Sequence, residues 1–290
     1  MSNTLQAHRK IEELRVRYHH AAVGKQALLQ LIAEAEVPEQ VYNSNAIENS
    51  TLTLEETEKI LLKMDLDRYI SERELFEAKN LARIVSYIET KAKEKELDFE
   101  IILLLHKMLI ANIRDEIAGR FRAKDEWVRV GNHIAPNPSE VEDRLQKVIT
   151  DYNANSTIPI AKRIATFHLG FEYIHPFVDG NGRIGRVLNN YLLIRGGYVP
   201  INIKFIERET YYDGFREFQT QGKTKIMESI VARALTNSYH KRLAYLESKT
   251  IVDLAQYAKD HRLSHANLIN KAKRQTIEAF SEKAVWKIGV

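Results

Sequence analysis

The chain has 290 residues, and its 43 Lys and Arg against 39 Asp and Glu leave a formal net charge of +4. Residues 251–290 hold seven basic and four acidic side chains, so the rest of the chain is nearly neutral, which excludes a protein that coats nucleic acid over its whole surface. There is no Cys, no apolar run near the ~20 residues of a membrane span and no signal-peptide pattern at the polar N-terminus, so we expect a cytoplasmic protein without disulfides or membrane contact.

The N-terminal half of the sequence has the pattern of long helices, since Gly (12) and Pro (6) are scarce. Apolar residues at helical spacing predict a first helix from Leu5 to Glu34, and Pro38 is predicted to end that unit. Three further helix starts are predicted from capping residues, namely Thr53 with Glu56, Ser71 with Glu74, and Asp98.

A short β-hairpin is predicted in the middle of the chain. Residues 127–134 alternate around a Gly131-Asn132 turn, and a Pro-containing segment then leads to a helix that Ser139 and Glu142 would cap. Helical patterns resume at residues 159–173, 181–195, 208–219 and 224–247. The expected fold class is therefore mainly α, a helical bundle with one small hairpin.

The segment that carries chemistry is His-Pro-Phe-Val-Asp-Gly-Asn-Gly-Arg-Ile-Gly-Arg at residues 175–186. Pro176 ends one apolar helix, and Gly180 and Gly182 open the next, which allows positive φ and close backbone approach. Because the first N–H groups of a helix have no partner within it, this helix start is a predicted anion site.

Charged side chains around this loop indicate a nucleotide phosphate as the anion. Arg183 and Arg186 are three residues apart and suit a polyphosphate, Asp179 is a hard oxygen ligand for Mg²⁺, and His175 is a base at neutral pH. Phosphoryl or nucleotidyl transfer is the predicted chemistry, although the P-loop and dinucleotide patterns are both absent.

Residues 175–186 closely resemble the Fic (Fido) family signature H-P-F-x-[DE]-G-N-G-R-x-x-R, and every specified position matches. The resemblance extends over about residues 119–237. It implies the all-α Fic fold and transfer of AMP from ATP to a hydroxyl group of a target protein. The implied roles are His175 as general base, Asp179 as the Mg²⁺ ligand, Asn181 with the Gly180 and Gly182 backbone on the α- and β-phosphates, Arg183 on phosphate, and Arg186 on the γ-phosphate.

Other segments of the Fic-like region also resemble parts of the family. Residues 127–138 resemble the flap that docks the target by strand addition, which implies docking by Val128, Val130, Gly131 and His133. Residues 211–215 resemble the stretch near the adenine pocket, where Tyr212 is a candidate to pack on the base, with core packing as the alternative. Phe177 resembles the family residue that is buried to anchor this loop. Residues 119–122 resemble the family segment before the flap, which we interpret as structural.

An upstream segment, Ser44-Asn45-Ala46-Ile47-Glu48-Asn49, fits the Fic inhibitory pattern [ST]-x-x-x-E-[GN] and is typical of class II members. The implied mechanism is competition, since Glu48 would pair with Arg186 and displace the γ-phosphate. Ser44 would share the helix face of Glu48. The alternative is that Glu48 only helps to begin the next helix.

The C-terminal residues 251–290 read as helix, turn, helix and hairpin. Residues 252–264 read as a helix that ends in a short turn, residues 265–273 as a second helix capped by Ser264, and residues 275–280 and 284–288 as strands. This pattern resembles excisionase-like or MerR-like winged helix-turn-helix modules. In a DNA-binding reading, the second helix enters the major groove. The alternatives are packing on the rest of the chain or recognition of a protein.

The predicted organisation is an N-terminal helical region (1–95) with an inhibitory helix around 41–50, a catalytic core (96–247) and a C-terminal module (251–290). The expected partners are ATP, a target protein and, as candidates, DNA and a second copy of the chain. Alternatives to AMP transfer stay open: a DNA-binding regulator that senses nucleotide, another nucleotide donor, phosphate transfer, or removal of AMP.

Overall fold

The computed structural model describes residues 3–290 and the side chains from residue 6 onwards. This part of the chain contains twelve α-helices and five short strands. The helices are α1 (Asn3–Ala21), α2 (Gln26–Ile47), α3 (Leu54–Leu61), α4 (Glu72–Glu94), α5 (Phe99–Ile110), α6 (Val141–Ala154), α7 (Ile160–Ile174), α8 (Asn181–Arg195), α9 (Arg208–Gln221), α10 (Lys225–Leu246), α11 (Leu254–Asp260) and α12 (His265–Lys273). The strands are β1 (Arg129–Val130), β2 (His133–Ile134), β3 (Ile251–Asp253), β4 (Ala279–Glu282) and β5 (Val285–Gly289). No helix in the described range is both long and apolar enough to cross a membrane.

The mainly α fold with a small hairpin is confirmed. Helix α8 has the predicted bounds, and β1 and β2 pair antiparallel around the Gly131-Asn132 turn. Thr53 and Glu56 form a reciprocal capping box at the start of α3, and Asp98 accepts a hydrogen bond from the Ile101 N–H (2.8 Å) at the start of α5. Local capping chemistry therefore sets several helix starts where the sequence places them.

The prediction of one helix from Leu5 to Glu34 is wrong, because two helices, α1 and α2, cover this range. The prediction that Pro38 ends the unit is wrong as well. The chain turns around Gly24 between α1 and α2, because glycine costs a helix about 1 kcal/mol relative to alanine. Helix α2 then continues through Pro38 to Ile47. Proline removes the hydrogen bond to the carbonyl of Glu34, but Glu34 is exposed, so water can satisfy that carbonyl.

Two of the predicted capping arrangements also differ. Ser71 does cap α4 by accepting from the Glu74 N–H (3.3 Å), but the Glu74 carboxylate accepts from the Ser71 hydroxyl (2.9 Å) and the Thr51 N–H (2.8 Å) and does not close a capping box on the Ser71 backbone. Before α6, a single 3₁₀ turn intervenes, and its cap is Asn137, which accepts from the Ser139 N–H (3.0 Å). Asn137 precedes Pro138, and proline favours the first position of a helical turn. The turn therefore starts at Pro138, before the predicted cap Ser139.

Val37–Tyr198 and Ile203–Ser229 form one compact unit, which contains the signature motif. Its centre is α8, whose residues from Arg183 to Ile194 are all buried and which contacts α4, α5 and α7. A helix that is covered on all sides is held rigidly by its neighbours. The N-terminus of α8 is therefore a firm base for the motif loop.

The residues up to Glu36, Val199–Asn202 and Ile230–Val290 form a second compact unit. Inside it, the buried carboxylate of Glu36 pairs with Arg242 and Lys241 of α10. A buried charge needs such partners, because leaving it unpaired costs several kcal/mol. The C-terminal residues belong to this unit and contact α1, where Arg17 pairs with Glu278 at 2.6 Å, as well as α10.

The C-terminal segment contains a three-stranded antiparallel sheet in the order β3-β5-β4 together with α11 and α12. The helix over His265–Lys273 and its Ser264 cap are as predicted. Strand β3 was not predicted, because its three residues are a strand only through pairing with β5. Strand β4 begins at Ala279 and not at Gln275, since Gln275 and Thr276 hydrogen-bond back to the end of α12. Asn237 and His240 of α10 bind the β4 backbone at Ser281 and Ala279.

Candidate active site

The motif loop joins the end of α7 to the start of α8. His175 ends α7 in a left-handed conformation (φ 50°, ψ 64°) that few residues other than glycine adopt. The Asn181 amide holds Phe177 through two hydrogen bonds of 2.9 Å, one from the Phe177 N–H and one to its carbonyl. Asn181 therefore fixes the shape of the loop, and Phe177 is fully buried beneath it.

His106 of α5 supports the loop from below. Its ring stacks on Phe177 with 3.7 Å between ring centroids, and its Nδ1 accepts from the Gly119 N–H (3.1 Å). Nε2 therefore carries the proton and donates to the Asp179 carbonyl (3.1 Å). Burial lowers the pKa of His106 to about 4, so this tautomer is neutral at pH 7.

Arg122 ties the hairpin to the end of α7. It is buried, and its guanidinium donates to the carbonyls of His175 (2.9 Å), Ile174 (3.3 Å) and Pro136. A cation at the C-terminus of a helix is stabilised by the helix dipole. Arg122 thereby fixes the backbone that carries His175 relative to the segment that leaves the hairpin.

Asp179 belongs to a closed arrangement of four charged side chains, which we call the four-charge ring: Arg73, Asp179, Arg183 and Glu77. Arg73 donates to Asp179 Oδ2 (2.8 Å) and to Glu77 (3.0 Å). Arg183 lies 2.9 Å from Glu77 and donates to Asp179 Oδ1 (3.3 Å). Burial alone would raise the pKa of Asp179, but Arg183 and Arg73 lower it below its usual value.

Arg186 is held by four hydrogen bonds. Its guanidinium donates to the Ser44 hydroxyl (3.0 Å) and carbonyl (2.8 Å), to Glu48 Oε1 (2.9 Å) and to the Tyr211 hydroxyl (3.2 Å). Ser44 and Glu48 therefore both contact Arg186, the arginine that the sequence pattern predicts as the partner of Glu48. Tyr211 also binds the buried His168 (2.7 Å), which fixes the direction of its hydroxyl.

The Glu48 carboxylate lies against the first turn of α8. A Cβ built on Gly182 would stand 2.1 Å from Glu48 Oε1, so only glycine leaves room for the carboxylate there. This helix start is the predicted anion site, and a carboxylate now lies beside it. Glu48 therefore takes space that an anionic ligand of this helix start would need.

His175 has the protonation state of a base. Its Nδ1 donates to the Glu172 carbonyl (3.2 Å), which leaves the lone pair on Nε2. Burial lowers the pKa of His175 to about 4, so the ring is neutral at pH 7. The Glu172 carboxyl group lies 3.7 Å from Nδ1, and burial, followed by the charge of Glu48, raises its pKa to about 8.

Tyr212 is half-buried beside the Ser44–Asn49 segment. Its hydroxyl donates to the Ile47 carbonyl (3.2 Å), and the Arg208 guanidinium lies 5.4 Å from its ring centroid. Arg208 in turn donates to the Asn49 side chain (2.6 Å). Tyr212 therefore contacts the segment that carries Glu48, while the adjacent Tyr211 contacts Arg186.

The hairpin lies near the end of α7. The His133 ring packs on Tyr173 in a tilted arrangement with 4.5 Å between ring centroids, and its Nε2 donates to the Tyr173 carbonyl (2.8 Å). Val130 and Gly131 are exposed and Val128 is partly exposed. Strand β1 pairs with β2 alone among the described residues, so its other edge is free to pair with an added strand.

An open cavity of about 300 Å³ lies between Glu48–Ser50, α4 and the motif loop. Its walls include Asp179 and Gly180. Mg²⁺ in nucleotide sites usually takes one or two carboxylates, with phosphate and water as its other ligands. The donor set fits this description, since Asp179 supplies a carboxylate at the wall of a cavity with room for further ligands.

Comparison with protein-family descriptions matches residues 96–193 to the Fic/DOC family. Residues 96–193 are a Fic/DOC family domain. The Fic domain runs from just before α5 into α8 and contains the whole motif loop. Ser44, Glu48 and the two α4 members of the four-charge ring lie outside it.

Curated relatives are named protein adenylyltransferase Fic. The one from Nematostella vectensis is 30% identical over 250 residues, which are 84% of this chain and 57% of the relative. The one from Drosophila melanogaster is 35% identical over 179 residues, which are 60% of this chain and 36% of the relative. The chain thus spans about half or less of these relatives' length.

Solved structures share the fold beyond the Fic domain. A Fic domain containing signaling protein from Bacteroides thetaiotaomicron has a TM-score of 0.73 at 21% identity, covering 83% of this chain and 99% of that one. A Fic-1 fragment from C. elegans has a TM-score of 0.71 at 25% identity, covering 84% of this chain and 72% of that one. The fold of most of this chain is therefore a known Fic arrangement.

Sequence reasoning missed several residues that build the site: Arg73, Glu77, His106, Arg122 and Tyr211. Arg73 and Glu77 are four residues apart on one helix, but the same spacing occurs on many exposed helices. Tyr211 lies next to the predicted Tyr212, and Arg122 lies in a segment read as scaffold. Nothing local in the sequence marks His106, since its contacts come from residues 13 to 73 positions away.

Proposed function

We propose that this chain is a protein adenylyltransferase that moves AMP from ATP to a hydroxyl group of a target protein and is restrained by Glu48. The observation that carries the proposal is the neutral His175 beside a glycine-rich helix start flanked by Arg183 and Arg186. The names of the curated relatives support the same activity.

In the proposed reaction, His175 Nε2 accepts the proton of the target hydroxyl, whose oxygen forms a bond to the α-phosphorus of ATP. The bond from that phosphorus to the bridging oxygen breaks, and pyrophosphate leaves. The N–H groups at the start of α8, with Arg183, hold the phosphates, and Arg186 holds the γ-phosphate. Asp179 would hold Mg²⁺, which supplies charge neutralisation at the phosphates when bound.

The proposed restraint acts on Arg186. A γ-phosphate and the Glu48 carboxylate compete for one guanidinium and for the space above Gly182. ATP then binds poorly or in a position unsuitable for in-line attack. Removal of the carboxylate frees the hydrogen bond that Glu48 takes from Arg186 and the space above Gly182.

The test uses ATP labelled at the α-phosphate, with Mg²⁺ and the full chain. Glu48→Gly should raise automodification about tenfold, since a partly exposed ion pair contributes about 1 kcal/mol and a charge-assisted hydrogen bond somewhat more. Adding His175→Ala should abolish the label. Glu96→Gly is the matched control, because Glu96 also pairs with an arginine of α8 (Arg195, 3.0 Å) but at the opposite end of that helix.

The labelling experiment also distinguishes which nucleotide is the donor, which group is transferred and whether AMP is added or removed. Label from α-labelled but not γ-labelled ATP identifies nucleotidyl transfer, and the reverse identifies phosphate transfer. UTP that competes as well as unlabelled ATP would indicate another donor. Loss of preformed AMP label on adding wild-type enzyme would indicate removal of AMP. Equal labelling of all variants would contradict the mechanism.

Nucleic-acid binding by the C-terminal module is the second candidate function, and the exposure of α12 supports it. The module packs on α1 through Glu278, which pairs with Arg17, and on α10 through β4, whereas the outward face of α12 is open. This face carries exposed polar side chains without an ion pair among the described contacts, namely His265, Asn267, Asn270, Lys271 and Lys273. Cations of this kind contact phosphates, and amides contact base edges.

A gel shift with random duplex DNA tests this role. If α12 binds DNA, Lys271→Glu with Lys273→Glu should abolish a shift that weakens steeply between 50 and 200 mM salt. Lys79→Glu is the control, because Lys79 is equally exposed on α4. No salt-sensitive shift with the wild-type chain rejects the DNA role.

A further inference from the structure

Both carboxylate oxygens of Asp179 are already engaged by guanidinium groups. Oδ2 accepts from Arg73 (2.8 Å) and Oδ1 from Arg183 (3.3 Å). Asp179 is also the one carboxylate of the motif loop and the proposed Mg²⁺ ligand. A divalent cation that approaches this side chain therefore meets an arginine at each oxygen.

The two arginines are not equivalent. The Arg183 side chain is 4% exposed and is held by Glu77 at 2.9 Å, so it cannot leave without a large loss of contacts. The Arg73 side chain is 52% exposed, lies in the first turn of α4 and borders the open cavity. An exposed ion pair contributes little, so Arg73 can move into water at small cost.

We propose that Arg73 is a second restraint on the site, a cation that occupies the Asp179 carboxylate and must be displaced before Mg²⁺ and nucleotide bind. The inference rests on the proposed function of this site. It differs from the Glu48 restraint in the group that it masks. Arg73 would mask Asp179, the proposed Mg²⁺ ligand, whereas Glu48 would mask Arg186, the proposed γ-phosphate ligand. The Arg73 restraint also comes from another element, α4, whereas Glu48 follows α2.

Charge balance gives the direction of the effect. The four-charge ring has two positive and two negative members and is neutral as a whole. Without the Arg73 guanidinium, the ring carries one net negative charge and Asp179 Oδ2 has an unused acceptor. Both changes favour a divalent cation at this carboxylate.

The experiment measures equilibrium binding of a fluorescent, non-hydrolysable ATP analogue as Mg²⁺ is titrated. All variants are made in the Glu48→Gly chain, so the first restraint is absent. Arg73→Ala should lower the Mg²⁺ concentration for half-maximal binding about fivefold, the factor that corresponds to a partly exposed ion pair. Arg73→Lys, which keeps a cation at this position, should stay within about twofold of the parent.

The matched control is Arg68→Ala, since Arg68 is similarly exposed and pairs with Glu56, outside the ring. Thermal melting of each variant checks that the fold is kept. If Arg73→Ala leaves the Mg²⁺ midpoint unchanged while the analogue still binds, the restraint is absent and the proposed function stands. If Arg73→Ala weakens binding at saturating Mg²⁺, Arg73 is a phosphate ligand and the proposal is wrong. If no variant binds the analogue at any Mg²⁺ concentration, the proposed function fails as well.

Discussion

Glu172 shows how strongly burial changes a single ionisable residue next to the proposed base. Its carboxyl group lies 3.7 Å from His175 Nδ1, and its Oε1 has no hydrogen-bond partner among the described atoms. Because burial raises its pKa to about 8, the folded protein keeps this group protonated and neutral at pH 7. A neutral acid leaves the charge of His175 undisturbed, whereas a carboxylate would favour its protonation.

Glu172→Gln should flatten the pH dependence of stability. Between pH 4.5 and 8 the folded state binds a proton that the unfolded state releases, so the free energy of unfolding falls as the pH rises through this window. The loss is of the order of a few kcal/mol, and glutamine, being neutral throughout, removes it. Urea denaturation at pH 5.5 and 8.5 measures the difference. Glu142→Gln, at an exposed position of α6, should keep the wild-type slope, and an unchanged slope in Glu172→Gln would contradict the assignment.

At the residue scale, the sequence predicts the side chains of the motif loop and the Ser44–Glu48 segment, but not the residues that hold them. The motif residues are recognisable because their types are dictated by phosphate chemistry and their spacing by one helix turn. Arg73 and Arg122 act through contacts with residues more than 50 positions away. Such contacts depend on the packing of whole helices, and no local pattern encodes that packing.

In the hairpin, the proposed docking of a target strand depends on the direction of the backbone N–H groups. Ala135 N–H donates to the Val128 carbonyl (3.0 Å), so the alternation of an antiparallel ladder directs the Arg129 N–H towards the open edge of β1. A target segment that adds as a strand would accept a hydrogen bond from this N–H. The proposed docking therefore depends on the backbone of Arg129 and less on its side chain.

Arg129→Pro should reduce transfer to target proteins while the hairpin still forms. Proline is tolerated where an edge N–H faces solvent, but it removes the donor that an added strand needs. One lost hydrogen bond of about 1 kcal/mol predicts about fivefold less label on lysate proteins in the Glu48→Gly chain. Arg129→Ala, which keeps the N–H, should lose less. Equal loss in both variants would show that the side chain matters and the edge does not.

At the element scale, the sequence predicts helix starts better than helix continuity. Thr53 and Asp98 cap their helices through contacts within three residues, so local chemistry decides these positions. The passage of α2 through Pro38 is helped by the exposure of Glu34 one turn earlier, which the sequence does not reveal. Strand β3 exists only because β5 lies beside it, and β5 begins 32 residues after β3 ends.

At the scale of the whole molecule, the C-terminal sheet is part of the packing of its unit. Phe280 of β4 is fully buried and packs near Tyr245 of α10, and Asn237 of α10 binds the backbone of Ser281. Arg17 of α1 pairs with Glu278 just before β4. Deleting residues 251–290 would therefore expose a helix face that the chain normally covers, so point variants are the better probe of this module.

Phe280→Ala should destabilise this unit by about 3–5 kcal/mol, the usual cost of removing a buried phenylalanine ring. Val285→Ala in the neighbouring strand should cost less than about 1 kcal/mol, because Val285 is 43% exposed. Urea denaturation followed by the fluorescence of Trp286, which packs on the core of the C-terminal segment, compares the two. Similar midpoints for both variants would show that the sheet is not anchored through Phe280.

The contact between Glu48 and Arg186 limits how inactive the proposed resting state can be. The Glu48 side chain is 35% exposed and follows the last residue of α2, so its release needs only a rotamer change and no unfolding. The three other hydrogen bonds of Arg186 stay in place, so the guanidinium needs no rebuilding. A restraint of about 1–2 kcal/mol leaves roughly 3–15% of molecules released at any moment. The protein would then behave as a leaky switch, with a steady basal output that a trigger amplifies by about an order of magnitude.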